Sequence, residues 1–231
     1  MKKDYFVTVH TEGAILPPDL LQSVTGGDDR LAGLTPSDYH LARGERINEQ
    51  INRSWNRLIG VWAGFCSGMD TPGAGAQGTT LTRERWLLHL FQELGYGRLI
   101  AARAAREIEG KSYPVSHFWQ RVPIHLLGFR VKLDRRTPGV SGAAQTNPHS
   151  LLQEYLNRTP EALWGFLSNG LQLRILRDNV SLVRPAYIEF DLQAMMEGEV
   201  YSDFVLLWLL CHQSRVEAAR PQDCWLERWY N

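Results

Sequence analysis

The chain has 231 residues, with 25 Lys and Arg against 25 Asp and Glu, and 44% of its residues are hydrophobic. A formal net charge of zero together with eight Trp excludes a disordered acidic or basic tail, because so many large apolar groups must be buried. A chain of this length forms one large domain or two small ones. Its three Cys do not sit at zinc-ligand spacing, which excludes a zinc scaffold and favours a reducing compartment.

Signals for export and membrane insertion are not found in the sequence. Met1 is followed by two Lys and by Asp4 rather than by an apolar run, so we expect no secretion. The most apolar stretch, residues 204–211, is much shorter than the roughly 20 residues of a membrane span. We therefore expect a soluble, cytoplasmic protein without membrane contact. In such a protein, nucleic-acid binding requires a local patch of Lys and Arg.

The first part of the chain predicts a helical N-terminal subdomain over residues 1–67. Turn signals interrupt residues 1–44, whereas apolar side chains between Ile47 and Phe65 recur at steps of three and four, as on an amphipathic helix. The Gly-rich residues 68–80 have no periodicity and are typical of a flexible connector. We therefore place a domain boundary there, followed by a second domain over residues 81–231.

The second domain begins with a helix that we expect Thr82 to cap and Gly95 to end. Strands are predicted over residues 113–117 and 122–127, and a helix over residues 148–156. Residues 99–105 fit a strand or a helix equally well. A long loop separates the second strand from the helix.

Asn169-Gly170 stands between two apolar runs, which is a strong signal for a hairpin with a primed turn and positive φ at both residues. A strand over residues 187–190 and an apolar helix over residues 203–214 complete the order. Mixed helices and strands in this sequence favour an α/β or α+β domain, in which helices flank a small mixed sheet.

Several catalytic signatures are absent from the sequence. The Gly-rich connector lacks the Lys-Ser/Thr of a phosphate-binding loop, which argues against nucleotide hydrolysis. Neither Gly-x-Ser-x-Gly nor His-Glu-x-x-His occurs, and the seven His are scattered, so serine-hydrolase and zinc-protease chemistry are disfavoured.

The order of elements resembles the nuclease-like domain of the PD-(D/E)XK group. Two strands are followed by Asp134, by a helix with Gln153-Glu154-Tyr155 and by the Asn169-Gly170 hairpin. This resemblance implies a restriction-endonuclease-like fold. Working members hold Mg²⁺ with an Asp and a Glu-x-Lys on adjacent strands. The second half of that motif is missing here, which leaves Asp134 with Glu109 or Glu154 as the candidate carboxylates.

A second resemblance covers more of the chain. Residues 146–157, 163–178, 187–192 and 198–204 are similar to the amino-terminal region of bacterial restriction-modification and phage-defence proteins, including DISARM-like ones, that carry an adenine-specific N6 DNA methylase domain. The resemblance implies a methylase domain or subunit as partner, and S-adenosylmethionine or Mg²⁺ as cofactors of the parent system. This chain has neither the methylase's Asn/Asp-Pro-Pro-Tyr/Phe stretch nor its Gly-rich loop, so we expect it to bind no cofactor and to methylate nothing by itself.

Candidate DNA-binding cations cluster in the second half of the chain. Long cationic side chains on one face are sufficient for phosphate contacts. The candidates are Arg130, Lys132, Arg135, Arg136, Arg158, Arg174 and Arg177. In the alternative interpretation, Arg135 and Arg136 pair with Asp134 or Glu154, and Arg177 closes a turn beside Asp178. Arg174 alternates with Leu173 and Ile175 and is therefore predicted to point away from the core.

These patterns favour a non-catalytic domain that binds double-stranded DNA or docks a methylase. Two alternatives stay open from the sequence. One is a Mg²⁺-dependent endonuclease with a non-standard site, and the other is a module that binds only protein. The aromatic cluster of Trp225, Trp229 and Tyr230 is expected to need a packing partner.

Overall fold

The computed structural model describes residues 5–71, 75–179 and 185–231. Part of the predicted connector, residues 72–74, lies outside these ranges. The chain forms a mixed α/β structure built on a six-stranded sheet with helices on both faces. Within the described residues, no helix combines the length and apolar character needed to span a membrane.

Eight helices occur in the described residues. They are α1 (Pro18–Gly26), α2 (Ile47–Met69), α3 (Thr79–Thr82), α4 (Leu88–Glu93), α5 (Pro148–Asn157), α6 (Leu192–Glu197), α7 (Tyr201–Cys211) and α8 (Trp225–Tyr230). A π-helical segment, Arg83–Leu87, joins α3 to α4, and short 3₁₀ turns occur at Pro36–Tyr39, Gln213–Arg215 and Pro221–Asp223.

The strands are β1 (Val9–Glu12), β2 (Arg106–Ile108), β3 (Lys111–Tyr113), β4 (His117–Trp119), β5 (Val122–Leu126), β6 (Trp164–Ser168), β7 (Gln172–Arg177) and β8 (Tyr187–Asp191). The large sheet has the order β1-β8-β7-β6-β5-β4, and β2 and β3 form a separate hairpin. Among the strand pairs of the described residues, only β5 and β6 are parallel. Parallel neighbours need a long crossover, which α5 supplies.

The two faces of the sheet bury two separate hydrophobic clusters. Leu173 and Ile175 of β7 belong to a large core that α1, α2, α4 and α7 cover. Leu167 and Leu176 face the opposite side, where α5 forms a smaller core with Tyr113, Val115, Leu127, Val131 and Leu133. Arg174 lies on this second face, between two residues of the large core, as strand alternation requires.

Residues from both predicted domains share the large core. Trp62 and Phe65 of α2 pack against Trp86 of the π-helical segment, with ring centroids 5.1 and 6.5 Å from that indole. The helix α2 also continues to Met69, into the predicted connector. The division of the chain at residues 68–80 stays a prediction, although its two sides are packed together.

Several predicted elements are confirmed. The α2 and α5 helices, the β6–β7 hairpin and the β8 strand lie where periodicity and turn signals placed them. The predicted helix over 203–214 corresponds to α7 and the following 3₁₀ turn.

The N-terminal part is not wholly helical, because β1 pairs with β8 at the edge of the sheet. The two residues before β1 are held in place by the buried Asp203 of α7. Its Oδ2 accepts hydrogen bonds from the amides of Val7 (2.9 Å) and Thr8 (2.7 Å). Strand β1 exposes three of its four residues. It therefore has no apolar alternation from which a strand could be predicted.

Three local predictions are wrong. Thr82 does not cap a helix, because α3 begins at Thr79 and the Thr82 hydroxyl donates to the Gly78 carbonyl at 2.8 Å. The predicted strand over residues 113–117 is divided between β3 and β4. Residues 99–105 form neither a strand nor a helix, apart from a bridge between Ala101 and His117.

The Asn169-Gly170 turn also differs from the predicted primed turn. Ser168 pairs with Leu173, so four residues lie between the paired positions, and only Gly170 of the Asn-Gly pair has a positive φ, +86°. The Asn169 Oδ1 accepts hydrogen bonds from the amides of Leu171 (3.0 Å) and Gln172 (2.9 Å). This side-chain turn replaces the backbone turn that the sequence suggested.

Candidate nucleic-acid interface

The loop between β5 and α5, residues 127–147, is held firmly against the sheet and is called the basic loop here. Val131 and Leu133 are buried, whereas Lys132 and Asp134 are exposed. The Val131 carbonyl accepts from Asn169 Nδ2 at 2.9 Å, and the Leu133 carbonyl accepts from the His149 amide at 3.1 Å. The loop therefore has one anchored side and one outward side.

An ion-pair cluster on the second face of the sheet adds a further anchor. The Arg174 side chain is 3% exposed, and its Nη1 and Nη2 donate to the two Asp134 carboxylate oxygens at 2.6 and 2.7 Å. Its Nε donates to Glu189 Oε2 on β8 at 2.5 Å. The Arg174 guanidinium keeps the pKa of Asp134 below its usual range. Arg174 thus joins the basic loop to two strands.

His149 completes this cluster as a neutral side chain. Its Nδ1 accepts from Arg174 Nη1 at 3.3 Å, and its ring packs edge-on against Tyr187 with centroids 5.2 Å apart. Burial, and then the positive charge of Arg174, lower the pKa of His149 to about 4. A neutral imidazole is the form that can accept from a guanidinium, so the hydrogen bond and the pKa agree.

Three of the predicted DNA-binding cations lie on the outward side of the basic loop. Lys132, Arg135 and Arg136 are exposed, and within the described ranges no carboxylate lies within ion-pair distance of them. Arg136 uses its Nε to donate to the Ala144 carbonyl at 3.2 Å, which positions its guanidinium on the loop. The alternative pairing of Arg135 and Arg136 with Asp134 or Glu154 is wrong, because Arg174 and Lys111 hold those carboxylates.

The other four predicted cations have partners within the chain. Arg130 donates to the carbonyls of Gly75 and Met69, and Arg158 pairs with Glu109 at 2.8 Å and Glu154 at 3.3 Å. Arg174 is buried as described above.

Arg177 forms a two-fold ion pair with Glu227 of α8, at 2.9 and 2.7 Å, and stacks on Tyr230. Arg177 also donates to the Asp178 carbonyl at 2.9 Å. The alternative in which Arg177 only closes a turn beside Asp178 did not include its contacts with α8. The aromatic cluster near Tyr230 finds its packing partners inside the chain, at Arg177, Trp164 and Arg215.

The candidate nuclease carboxylates do not form one site. Asp134 belongs to the Arg174 cluster, while Glu154 accepts from Lys111 Nζ (2.5 Å) and Tyr113 Oη (3.0 Å), and Glu109 pairs with Arg158. In the part of the chain that the structure describes, no group of three or more His, Cys, Asp or Glu is placed to hold a metal ion. These residues do not fit a two-carboxylate Mg²⁺ site.

A cavity of about 510 Å³ opens beside the basic loop. Its walls are residues 139–146 of the loop, β3 with Lys111, Ser112 and Tyr113, and Leu151 and Glu154 of α5. This volume lies in the range of small-molecule sites. The sequence did not indicate the cavity, because its walls come from three separate segments.

The inner wall of the basic loop is fastened to β5 by His125, which is fully buried. Its Nδ1 accepts from the Ser116 amide at 3.2 Å, so its Nε2 carries the proton and donates to the Gly142 carbonyl at 3.2 Å. Burial lowers the pKa of His125 to about 4. A proton on Nδ1 would oppose the Ser116 amide, so the folded protein requires the neutral ring.

This arrangement predicts a loss of stability in mild acid. The folded pKa of about 4 lies below the unfolded value near 6.5, so acidification favours the unfolded chain, which binds the proton more readily. Between these two pH values, His125 alone should lower the free energy of unfolding by about 1.4 kcal/mol per pH unit. Urea unfolding measured from pH 7 to pH 4 checks this, with His125→Gln as the comparison. The variant should show a shallower decline, and parallel declines would contradict the prediction.

The residue that sequence reasoning missed is Glu189. It lies opposite Arg174 in the β7–β8 register, and Gln172 Nε2 donates to its second oxygen at 3.0 Å. The available signal was the charged residue between Ile188 and Phe190, which alternation places on the same face as Arg174.

Comparison with protein-family models, with curated proteins and with solved structures gives no match to this chain.

Proposed function

We propose that this chain is a non-catalytic DNA-binding domain of a restriction-modification or phage-defence system, and that the basic loop contacts phosphates of duplex DNA. One observation carries the proposal. Lys132, Arg135 and Arg136 project from a loop anchored at Val131, Leu133 and Asp134, and no carboxylate among the described residues pairs with them. Exposed cations on a rigid support are what phosphate binding needs.

The restriction-endonuclease-like part of the proposal is supported by the arrangement around α5. Two strands, then α5, then the β6–β7 hairpin follow one another in the order on which the PD-(D/E)XK resemblance rests. In addition, α5 connects the parallel pair β5 and β6. Absence of catalysis is supported by the candidate carboxylates, each of which is held by an Arg or Lys of the same chain. Docking of a methylase domain remains a prediction from the resemblance alone.

The test is the salt dependence of binding to a fluorescent DNA duplex. If the three loop cations each neutralise one phosphate, the variant K132A/R135A/R136A should flatten the slope of log affinity against log salt by about 2.7. Those three contacts correspond to roughly a 40-fold loss of affinity between 50 and 200 mM salt. Fluorescence anisotropy over that salt range measures both quantities.

A matched control removes three exposed Arg elsewhere, R43A/R121A/R228A. Arg121 precedes β5 and Arg228 lies on α8 beside the start of β6, at the opposite end of these strands from the basic loop. The control variant has the same change in net charge as the loop variant. A general charge effect would therefore weaken DNA binding equally in both variants, and that result would overturn the assignment of DNA binding to the basic loop. Salt-insensitive binding to a methylase fragment without DNA affinity would instead support the protein-only module.

A further inference from the structure

The small hairpin of β2 and β3 has an open edge. Its strands are joined by the two-residue turn Glu109-Gly110, in which both residues have a positive φ, 49° and 77°, as in a type I′ turn. The residues that flank such a turn, here Ile108 and Lys111, form a hydrogen-bonded pair. Because hydrogen-bonded and non-hydrogen-bonded pairs alternate, the next pair, Glu107 and Ser112, is not hydrogen-bonded. The N–H and C=O of Ser112 therefore point away from β2.

This open edge of β3 lies along the cavity beside the basic loop. The walls of the cavity include Lys111, Ser112 and Tyr113 of β3 but no residue of β2, so the cavity is on the side that β2 leaves free. Among the described residues, β3 pairs with β2 alone, and no backbone hydrogen bond from outside the hairpin engages Ser112. Ser112 thus presents one peptide donor and one peptide acceptor to the cavity.

The basic loop forms the facing wall. A Cβ added to Gly142 would lie 3.1 Å from the Pro114 carbonyl oxygen, so the loop and the end of β3 converge at this point. His125 holds the loop there, through the hydrogen bond to the Gly142 carbonyl at 3.2 Å. Residues 139–146 of the loop line the cavity together with β3. The cavity is therefore a slot between an anchored loop and an open strand edge.

The floor of this slot is apolar and carries no unpaired charge. Lys111 and Tyr113 both face α5, because each donates a hydrogen bond to Glu154, at 2.5 and 3.0 Å. Lys111 and Glu154 are the charged residues of the wall, and they neutralise each other. Apolar surface comes from Leu151 of α5 and from the loop, by Val140 and Ala143. The slot therefore suits an uncharged apolar side chain.

We propose that the slot binds a short extended peptide segment of a partner protein, which adds to β3 as an antiparallel strand. One peptide residue exchanges both backbone hydrogen bonds with Ser112. Successive side chains of a strand alternate between its faces, so the neighbour of that residue directs an uncharged apolar side chain toward Leu151. In strand addition, main-chain hydrogen bonds supply affinity and side-chain pockets supply specificity. The inference does not depend on DNA binding by the basic loop.

The probe for this site is a phage-displayed library of random heptapeptides, selected on the full chain. An enriched peptide is then made with blocked termini and a fluorescent label, and its dissociation constant is measured by anisotropy. We expect N-methylation of one peptide nitrogen to weaken binding about tenfold, and N-methylation of either neighbour to weaken it less than about threefold. Replacing an apolar residue next to the sensitive position with Ala should also weaken binding about tenfold.

A pair of proline variants tests the strand edge from the protein side. Ser112→Pro removes the outward N–H but none of the hydrogen bonds to β2, and should weaken the peptide about tenfold. Glu107→Pro is the matched control, because Glu107 is the exposed partner of Ser112 in the same pair and its free edge does not line the cavity. It should bind within about threefold of the parent. Urea unfolding shows whether each variant keeps its fold, and the N-methyl scan needs no variant.

Several results would overturn the inference. They are a selection without enrichment, an N-methyl scan without a single sensitive position, and equal losses for Ser112→Pro and Glu107→Pro. Enrichment of acidic peptides that dissociate between 50 and 200 mM salt would place binding on the loop cations, and would also overturn it.

The strand-addition site and the proposed function fail separately. Ser112→Pro should bind duplex DNA within about threefold of the parent, because Ser112 is not part of the basic loop. If the parent binds DNA but no peptide, the strand-addition site is overturned and the proposed function stands. If it binds the peptide but not DNA, the strand-addition site stands and the proposed function is overturned.

Discussion

Replacing Arg174 with Ala is expected to lower the free energy of unfolding by about 3–5 kcal/mol, because it leaves a carboxylate in the sheet without its cation. Glu189 would keep only the hydrogen bond from Gln172, and its side chain is 10% exposed. The basic loop would also lose both hydrogen bonds to Asp134. Urea unfolding at neutral pH measures the change.

A double variant separates the charge from the packing. In R174M/E189Q both buried charges are gone, and Met keeps the apolar stem, so the pair should recover more than half of the loss. Arg135→Ala, next to Asp134 but exposed and without an ion-pair partner among the described residues, should change stability by less than about 0.5 kcal/mol. A loss below 1 kcal/mol for Arg174→Ala would mean that the cluster is not closed in solution.

The Arg174 cluster also shows how far the sequence could lead. Alternation along β7 correctly predicts that Arg174 faces away from Leu173 and Ile175. It does not predict that the side chain is buried, because a different segment, the basic loop, covers that face. The partners lie 40 residues before and 15 residues after Arg174. Such distant pairings depend on tertiary packing, to which local periodicity does not respond.

Strong local signals predicted helices and strands more accurately than weak ones, because they do not depend on tertiary packing. Helix α2 has a continuous apolar stripe, so the 3.6-residue period locates it without knowledge of its neighbours. The Asn169-Gly170 pair correctly predicts a hairpin, but the turn is longer, because Asn169 Oδ1 accepts from the amides of Leu171 and Gln172. Its Nδ2 donates to the Val131 carbonyl of the basic loop, a contact that the local sequence does not indicate. The DNA-binding cations could be found as a cluster, whereas sorting free ones from paired ones required the partners' positions.

Replacing Arg215 with Ala is expected to have the second large effect, lowering the free energy of unfolding by about 3–5 kcal/mol. The Arg215 side chain is fully buried, and burial lowers its pKa to about 10, so it remains charged at neutral pH. Within the described part of the chain, no carboxylate pairs with it. Instead Nη1 donates to the Gly33 carbonyl at 2.5 Å, Nη2 donates to the Asp38 carbonyl, and the guanidinium lies 3.8 Å from the Tyr39 ring centroid.

The expected loss comes from the groups that Arg215 would leave behind. The buried Gly33 carbonyl and the half-buried Asp38 carbonyl would each lose a hydrogen bond, at a cost of up to about 1–3 kcal/mol apiece, and a cavity would open between Tyr39 and Trp229. These contacts join residues 33–39 to the C-terminal helix α8, which also donates from Trp229 Nε1 to the Ala32 carbonyl at 2.9 Å. Replacement of Arg215 should therefore destabilise both residues 33–39 and helix α8.

Two further variants test this explanation by denaturant unfolding. Arg215→Lys keeps the charge but offers one ammonium in place of a planar fork, so it should recover only part of the loss. Arg220→Ala removes an exposed Arg whose ion pair, among the described residues, is with Asp223, and should leave the free energy of unfolding nearly unchanged. Equal losses for Arg215→Ala and Arg220→Ala would show that the buried guanidinium does not hold the two ends of the chain together.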